Sequence, residues 1–480
     1  MATEITTTGK IRIPPAEIEY ATSASPAHTA RIFTWQGELY RSIPQSSLPM
    51  WKQLTEEGLL QELIHERLFV ETRETDLQLE GAALVLKHDR IPFVSYPYEW
   101  CSAAFQSAAI QFLELNIRLA KSGLATSDAH PWNLVFDGTT PLFVDYGSFV
   151  PLEQIHRADF INQFRAQFWY PLQLMTSGHG RLARTLMQEY SQPIQEDELP
   201  GLRYLWRRGW LRLAKSRGHS RLGRGAQKLA RLNRFHLQRQ PSTEIWIKGL
   251  ERWKRRVERV RLPRQRTFWS HYYAEDYPDH AQPETWSEKQ ITVAKVLEEL
   301  APATVHDLAG NSGWYAQLAC RQGRQVVCTD NDDLALNQLF QREQSSNSGM
   351  SLAYLNIVNP VGPHGTIDAR GSRLYTAVEQ RLQADCVLAL GLTHHLVFTE
   401  MFDFPFIFGA LSQFTRKDLI VEFVSRDDEY VKTWWNDSYD WYTLENFCDI
   451  ARQYFEEVDV QDSSPAGRYL VVCRQRRNEP

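Results

Sequence analysis

The sequence has few cysteines and no long apolar run. Its six cysteines are scattered over 480 residues and form no C-x-x-C pair, which argues against a zinc site and a disulfide framework. They indicate buried thiols in a reducing compartment. No apolar stretch is long enough to span a bilayer, and nothing near Met1 has the basic start and apolar run of a signal peptide. We therefore expect a cytoplasmic protein with no membrane span.

The sequence also lacks a strong net charge. A formal charge of -5 and a pI near 6.3 give no global attraction to nucleic acid or to an anionic membrane. With 43% hydrophobic and 23% charged residues, the chain has material for more than one packed core, so we expect two or three domains. Residues 1–30 are rich in Thr, Ala, Pro and Ser without an apolar period, which predicts a mobile tail.

The most informative stretch runs from Val305 to Asp332 and is typical of strand, tight turn, helix and strand. Asp307 closes the first strand, Gly310 and Gly313 bracket the turn, and Asp330 follows the second strand. Such a turn lets backbone N–H groups and a helix N-terminus approach a ligand, while the later carboxylate accepts hydrogen bonds from ribose hydroxyls. A complete G-x-G-x-x-G is absent. We therefore predict a nucleoside site here.

Strands and helices alternate through the rest of this half of the chain, which favours an α/β fold with a Rossmann-like sheet ending in a hairpin. The predicted strands are Met350–Asn356, Ala384–Leu396, Asp418–Val424, Phe455–Asp462 and Arg468–Cys473, and the predicted helices are Glu288–Leu300, Leu334–Gln344, Leu374–Leu382 and Phe404–Phe414.

A second informative stretch, Leu124–Phe149, resembles the catalytic segment of protein-kinase-like and aminoglycoside-phosphotransferase-like folds. Asp128 and Asn133 have the spacing of the kinase catalytic loop, and Asp145 opens a D-Y-G triplet where a metal-binding triplet stands in kinases. The resemblance implies an α+β kinase-like domain that binds ATP. Asp128 would take a hydroxyl proton, while Asn133 and Asp145 would hold Mg²⁺ on the phosphates.

Two features of active kinases are missing or altered. No glycine-rich phosphate loop precedes this segment, and Arg41 stands where a phosphate-orienting lysine is expected; Lys52 and Lys87 are alternatives. Tyr96–Trp100 would form the hinge against which adenine packs. These departures leave open a kinase-like scaffold that binds or positions a substrate without transferring phosphate.

The segment from Pro200 to Arg266 is strongly basic and carries Leu and Trp at near-helical spacing. It predicts a basic helical linker whose charged face is either simply solvated or binds an anionic partner. No RNA-binding motif accompanies it, which argues against nucleic acid. We expect a flexible tail at 1–30, a kinase-like domain at 31–200, the linker at 201–268 and a separate α/β domain at 269–480.

The last of these domains resembles the class I S-adenosylmethionine-dependent methyltransferases, and the chain from about Arg31 resembles a bacterial family of nodulation-protein-type methyltransferases. The residues that carry the resemblance are I-P-F-V-S-Y-P-Y-E-W at 91–100, the S-D-x-x-P-x-N loop, V-D-Y-G-S-F at 144–149, D-L-A-G-N-S-G at 307–313, A-L-G-L-T-H-H-L at 389–396 and V-E-F-V-S-R-D-D at 421–428.

The resemblance implies a set of residues that contact S-adenosylmethionine. Asp307 would lie near the methionine amino group, Asp330 would hold the ribose hydroxyls, and Asn356 would offer its carbonyl oxygen to the adenine amine. The turn would be shaped by Gly310 and Gly313, with Ala309 and Asn311 at two of the usual glycine sites. The full cofactor-contacting set is Asp307, Ala309, Gly310, Gly313, Asp330, Asn331 and Asn356.

His394 and His395 follow the fourth strand, at the edge of the cleft where the methyl acceptor is expected. Histidine suits the task of a general base at neutral pH, and His394 is weakly favoured over its neighbour. Glu422 and the Asp427–Asp428 pair are alternative acceptor contacts. The alternative for the histidines is one ring packed beneath the loop and one lining the pocket.

Three hypotheses of function remain at this point. The first is a methyltransferase acting on a small-molecule or glycan-type acceptor, by O-methylation, with the kinase-like domain as a binding module. The second is a bifunctional enzyme that phosphorylates its substrate and then methylates it. The third is a non-enzymatic scaffold with two degenerate folds. The sequence does not identify the acceptor or the oligomeric state.

Overall fold

The structure is a computed structural model and describes residues 11–21, 30–199, 242–263, 278–346, 348–368 and 371–477. Its strands are β1 Ile11–Arg12, β2 Glu19–Tyr20, β3 Arg31–Trp35, β4 Glu38–Ile43, β5 Thr72–Glu74, β6 Leu77–Gln78, β7 Leu84–His88, β8 Leu124–Thr126, β9 Leu134–Asp137, β10 Thr140–Phe143, β11 Phe149–Pro151, β12 Thr304–Leu308, β13 Gln325–Asp330, β14 Ser351–Tyr354, β15 His364–Ile367, β16 Arg373–Tyr375, β17 Ala384–Ala389, β18 Thr415–Val424, β19 Phe455–Asp462 and β20 Arg468–Arg476.

The α-helices alternate with these strands most regularly after residue 288. They are α1 Leu48–Glu56, α2 Leu59–His65, α3 Ser102–Lys121, α4 Arg157–Phe164, α5 Tyr170–Thr176, α6 Gly180–Met187, α7 Thr243–Glu258, α8 Glu288–Leu300, α9 Trp314–Arg321, α10 Asp333–Ser346, α11 Val378–Arg381, α12 Thr393–Phe398, α13 Phe404–Phe414, α14 Glu429–Trp434 and α15 Leu444–Tyr454.

The first part of the chain folds as an antiparallel sheet followed by helices. The sheet has the order β2-β3-β4-β7-β5, and α1 and α2 leave it after β4. The hairpin of β3 and β4 turns at Gln36 and Gly37, whose φ values of 51° and 79° suit a tight hairpin turn.

The predicted mobile tail is wrong for residues 11–21. Ile11 and Arg12 pair with β6 in parallel, and β2 pairs with β3. Ile13 between them is only 1% exposed. Because an edge strand needs only a few backbone hydrogen bonds and one or two anchoring side chains, composition did not reveal it.

Helix α3 forms the centre of the helical part and has most of its residues buried. It ends at Lys121 before Gly123, which has a φ of 72°, a left-handed conformation that commonly ends helices. Helix α7 packs along it: Gln106 Nε2 donates to the Val257 carbonyl at 2.8 Å, and Lys254 Nζ lies 2.7 Å from Glu114. The described end of the basic segment is thus a packed helix, and the predicted helices at 200–241 lie outside the described residues.

The later part of the chain contains a seven-stranded sheet of order β14-β13-β12-β17-β18-β20-β19. The first five strands are parallel, and β20 is antiparallel to both of its neighbours. The central strands are buried along almost their whole length, as parallel strands covered by helices on both faces are. The predicted α/β, Rossmann-like sheet with a terminal hairpin is confirmed.

Two of the four predicted helices of this part match the structure at both ends, and the predicted helix Leu334–Gln344 is slightly longer, at Asp333–Ser346. Helices α8 and α13 begin and end where predicted. The predicted helix Leu374–Leu382 is wrong over its first half, because Arg373–Tyr375 is strand β16, which pairs with β15. Only Val378–Arg381 is helical. The hairpin of β15 and β16 leaves the main sheet and contacts the first part of the chain.

The two parts of the chain share one hydrophobic core. Phe136 of β9 meets Phe340 of α10 with ring centroids 6.0 Å apart, and one buried cluster contains apolar residues of both parts. A buried ion pair crosses the same boundary: Arg381 Nη1 lies 2.7 Å from Glu99 Oε2, and its Nη2 also contacts this carboxylate. Their side chains are 6% and 4% exposed. The predicted domain limits stay predictions.

Replacing Arg381 with Ala is expected to lower the free energy of unfolding by about 3–5 kcal/mol, because Glu99 would remain buried without its counter-charge. Arg452→Ala is the matched control, since its pair with Asp449 has side chains 53% and 60% exposed and such pairs contribute about 0–1 kcal/mol. Urea unfolding measures both variants. Equal, small effects would contradict a tightly joined boundary.

Candidate functional site

A cavity of about 270 Å³ opens at the carboxyl ends of the parallel strands. It lies at the point where chain order reverses, since β12 is followed on one side by β13 and on the other by β17. Ligands of open α/β sheets bind at such a switch point. The lining residues are Leu308, Ala309, Asn311, Thr329, Asp330, Asn331, Leu355, Ile357, Val358, Leu390, Gly391, Leu392, His394, His395, Leu396, Thr399, Glu400 and Arg468.

The turn after β12 has the backbone of a glycine-rich turn although two of its residues are not glycine. Ala309 and Asn311 have φ values of 58° and 48°, and Gly313, just before α9, has 71°. The left-handed region costs an alanine about 1–2 kcal/mol, whereas asparagine tolerates it better. The turn geometry is therefore retained at a cost in backbone strain, and strain of this kind clusters at ligand sites.

Gly310 is a residue of this turn for which a side chain has no room. A Cβ atom at this position would lie 2.6 Å from Asp307 Oδ2 and 2.6 Å from Cys328 Sγ. The absence of a side chain lets the turn approach the buried end of β12 and β13 closely.

Asp330 lies at the end of β13 and lines the cavity. Its Oδ2 accepts a hydrogen bond from Asn311 N at 2.9 Å, and its Oδ1 accepts one from Asp332 N at 2.8 Å. Each carboxylate oxygen has a second lone pair for a further donor. Burial raises the pKa of Asp330 to about 6, despite these backbone hydrogen bonds.

Asp307 lies beneath the turn and is not among the cavity-lining residues. Its Oδ2 accepts a hydrogen bond from Ala316 N in the first turn of α9 at 3.0 Å, where a carboxylate also offsets the helix dipole. Burial, with a further contribution from Asp330, raises the pKa of Asp307 to about 7. Its predicted contact with a methionine amino group stays a prediction.

Two asparagines were predicted to touch the cofactor. Asn331 lines the cavity directly after Asp330. Asn356 follows β14, and its Oδ1 accepts a hydrogen bond from Val358 N at 3.1 Å. Its neighbours Leu355, Ile357 and Val358 line the cavity, whereas Asn356 itself does not. The apolar wall that they form suits a flat aromatic base.

The two histidines both line the cavity on α12, as neighbouring rings 4.1 Å apart. Burial, with further contributions from His395, Arg468 and Lys289, lowers the pKa of His394 to about 2. His394 Nδ1 is buried without a hydrogen-bond partner. The pKa of His395, which is less buried, is also lowered by burial and by Arg468. Both rings are therefore neutral at physiological pH.

Sequence reasoning missed Trp434 and Lys289 near the two histidines and gave Glu422 another role. Trp434 of α14 packs against the rings of both histidines. Glu422 is fully buried, and its Oε2 accepts hydrogen bonds from Gly391 N at 2.7 Å and Lys289 Nζ at 2.8 Å. The pair of Glu422 and Lys289 fixes the loop after β17 rather than contacting an acceptor. A tryptophan and a lysine far apart in sequence gave no local signal for these roles.

The kinase-like residues come together at a second candidate site. Asn133 Nδ2 lies 3.4 Å from Asp145 Oδ2, and Asp128 accepts a hydrogen bond from Ser127 Oγ at 3.0 Å. Arg41 of β4 donates to Asp145 Oδ1 at 3.3 Å and to the Val144 carbonyl at 2.9 Å. Of the three cations considered from sequence, Arg41 is the one in contact with Asp145, since Lys87 pairs with Glu38 at 3.1 Å and Lys52 is exposed.

These residues fit a magnesium ion poorly. The Arg41 guanidinium lies on the carboxylate that the metal would need and supplies the positive charge there. Among the residues that the structure describes, no group of three or more His, Cys, Asp or Glu side chains is placed to hold a metal ion. An arginine therefore lies on the carboxylate that was predicted to hold Mg²⁺, and the metal role of Asn133 and Asp145 stays a prediction.

The predicted adenine hinge is engaged by the hairpin of β15 and β16. Tyr375 packs on Trp132, in the loop of residues 128–133, with ring centroids 4.5 Å apart. It also packs on Tyr96, with ring centroids 5.6 Å apart. Arg381 Nη1 donates to the Val94 carbonyl at 2.6 Å. The hinge thus serves as a contact between the two parts of the chain.

Comparison with known proteins gives one curated relative and several partial structural likenesses. No family model matches the chain. The chain is 25% identical over 430 residues to nodulation protein NoeA of Rhizobium meliloti (strain 1021), covering 84% of each protein. In the described residues, no helix has both the length and the apolar character that crossing a membrane requires.

Two solved structures illustrate the structural likenesses. The bifunctional kinase-methyltransferase WbdD is 15% identical, with a TM-score of 0.30, covering 42% of this chain and 41% of that chain. The chain thus matches less than half of WbdD. Magnesium protoporphyrin IX methyltransferase from Synechocystis PCC 6803 is 11% identical, with a TM-score of 0.28, covering 48% of this chain and 94% of that chain.

Gly310→Ala is expected to lower the free energy of unfolding by about 1–3 kcal/mol, because its Cβ would displace Asp307 or Cys328. Gly362→Ala is the control, since a Cβ there meets nothing within 4 Å and its φ is not positive. We expect that variant to stay within about 0.5 kcal/mol of the wild type. Urea unfolding compares them, and equal stabilities would contradict the close packing of the turn.

Proposed function

We propose that the chain is an S-adenosylmethionine-dependent methyltransferase that methylates an oxygen of a small-molecule or glycan-type acceptor. The observation that carries the proposal is Asp330, a carboxylate at the end of β13 that lines the cavity and keeps lone pairs for two ribose hydroxyls. A nucleoside fits the site for a further reason: Leu355, Ile357 and Val358 supply an apolar wall for its base.

The proposed roles of the other residues follow from their places around the cavity. When bound, S-adenosylmethionine supplies an electrophilic methyl group, which is transferred by in-line displacement. The chain then has to position the acceptor oxygen and remove its proton. His394 and His395 line the cavity after β17, whereas Asp330 follows β13, on the other side of β12. In this position the histidines would orient the acceptor oxygen.

The choice of base moves from His394 to His395 on physical grounds. A ring whose pKa is lowered to about 2 takes up a proton only at high cost, so His394 suits orientation by a hydrogen bond. His395 is the less buried ring and is therefore the better proton acceptor. An acceptor that is already acidic would need the least help from either ring.

The N-terminal part of the chain is proposed to bind or position rather than to transfer phosphate. Arg41 neutralises Asp145, and the β15–β16 hairpin packs on the hinge and on Trp132. The contact of Asn133 with Asp145 and the nearby Asp128 favour the bifunctional kinase-methyltransferase as the second candidate. An anionic partner at the basic segment also stays a proposal.

Isothermal titration calorimetry with S-adenosylmethionine tests the proposal. We expect binding by the wild type and a loss of at least about 30-fold in affinity for Asp330→Ala, because two hydrogen bonds to a charged group are removed. Asp449→Ala, in an exposed pair on α15, is the control. No binding by the wild type, or Asp330→Ala equal to it, would overturn the proposal.

The same titration predicts a pH dependence. Since the pKa of Asp330 is raised to about 6, its carboxylate is present above that pH and becomes protonated below it, losing an acceptor. Affinity is expected to be constant above pH 7 and to fall as the pH decreases from 7 to 5. Asp330→Asn should remove this dependence, which separates Asp330 from Asp307.

Calorimetry with ATP and Mg²⁺ tests the second candidate. We expect no magnesium-dependent binding, because Arg41 already pairs with Asp145. Magnesium-dependent binding of ATP by the wild type that disappears in Asp145→Ala would instead support the bifunctional enzyme. Glu153→Ala, in the same lobe and away from Arg41, serves as the control variant.

A further inference from the structure

The ribose-binding carboxylate proposed above is separated by only two residues from a helix that is anchored on the other part of the chain. Asp330 ends β13, and α10 begins at Asp333. Asp332 lies between them and links the two, because its backbone N–H donates to Asp330 Oδ1 while its Oδ1 accepts from Leu334 N at 2.8 Å and Ala335 N at 3.0 Å. The orientation of Asp330 therefore depends on the position of the first turn of α10.

That first turn of α10 caps helix α3 across the boundary between the two parts. The residue preceding α3 is Cys101, whose side chain makes no capping hydrogen bond. Ser102 N donates to Asp333 Oδ1 at 3.1 Å, Ser102 Oγ donates to Asp333 Oδ2 at 2.5 Å, and Ala103 N donates to Asn337 Oδ1 at 2.7 Å. Two of the N–H groups that a helix leaves unpaired at its start are thus satisfied by another helix.

The charges favour the same contact. The start of α3 carries the positive end of a 20-residue helix dipole, and a carboxylate is stabilised there. Asp333 also pairs with Arg184 of α6, whose Nη2 contacts its Oδ1. Three acidic side chains, at 330, 332 and 333, lie within four residues, and a helix start together with an arginine offsets their repulsion.

Arg184 touches the strand next to the ribose carboxylate as well. Its guanidinium carbon lies 3.9 Å from the centroid of the Tyr354 ring, and Tyr354 is the residue of β14 that pairs with Asp330. Leu355 N donates to the Asp330 carbonyl at 2.9 Å. With a side chain only 8% exposed, Arg184 is fixed between the ends of two strands that border the cavity.

We infer that Arg184 and Asp333, with the start of α3, are positioning residues for the methyl-donor site, so that the N-terminal part of the chain holds the ribose-binding carboxylate in place. This inference rests on the proposed function. Neither residue lines the cavity, and both act through Asp330. The N-terminal part is then a structural component of the methyltransferase site and not a detachable module.

Calorimetry with S-adenosylmethionine on the full chain tests the inference with two buried arginines of the same boundary. Arg184→Ala and Arg381→Ala each break an ion pair across the boundary between the two parts, but only Arg184 contacts Asp333 and Tyr354. We expect both variants to lose thermal stability. Only Arg184→Ala should weaken binding, by about fivefold to twentyfold, when measured well below its unfolding temperature.

A second and milder variant covers the case in which Arg184→Ala does not fold. Ser102→Ala removes the hydroxyl bond to Asp333 and leaves the backbone N–H bond, so a weakening of about threefold is expected. Arg184→Lys should restore part of the affinity lost in Arg184→Ala, because the charge beside Asp333 returns.

The outcomes are separable. Wild-type affinity in both Arg184→Ala and Ser102→Ala would overturn the inference and leave the proposed function intact. Equal weakening by Arg184→Ala and Arg381→Ala would also overturn it, since that pattern reports general destabilisation. Absence of S-adenosylmethionine binding in the wild type would overturn the proposed function and the inference together.

Discussion

The whole site depends on one constraint of parallel sheets: a cleft opens only where successive strands are added on opposite sides. Here that point lies between β12 and β17, and the turn after β12, the carboxylate of Asp330 and the loop after β17 meet there because all three follow the same end of the sheet. Glu422, which pairs with Lys289, holds the loop after β17 through a hydrogen bond from Gly391 N. The cavity is therefore a property of topology first and of individual side chains second.

The segment with kinase-like spacing shows what only the structure reveals about a predicted site. Asp128, Asn133 and Asp145 have that spacing in the sequence, and in the structure the Arg41 guanidinium pairs with Asp145. The hinge segment that precedes α3 contacts Arg381 and Tyr375 from the later part. The residues of this lobe thus contribute to joining the chain into one core, which a pair of independent domains would not require.

Local patterns predicted elements well where the residues alone decide the structure. Helix α8 begins after Ser287, whose hydroxyl oxygen accepts a hydrogen bond from Gln290 N, while Gln290 Oε1 accepts one from Ser287 N. The start of this helix is therefore encoded in four adjacent residues. Strand β16 was taken as part of a helix because its partner β15 and its contact Trp132 are remote in sequence. Residues 11–21 were taken as a tail for the same reason, since their ordering comes from β6 and β3.

The sequence by itself determined the Rossmann-like alternation, the acidic residue after the second strand of the sheet, and the kinase-like spacing, because each rests on neighbours within about 25 residues. Only the tertiary structure decided that Asp307 lies beneath the turn, that burial and Arg468 hold the two histidines neutral, and that Asp333 caps a helix more than 200 residues earlier in the chain. The physical reason is that pKa values, capping across a boundary and cavity walls depend on which groups lie close together in space.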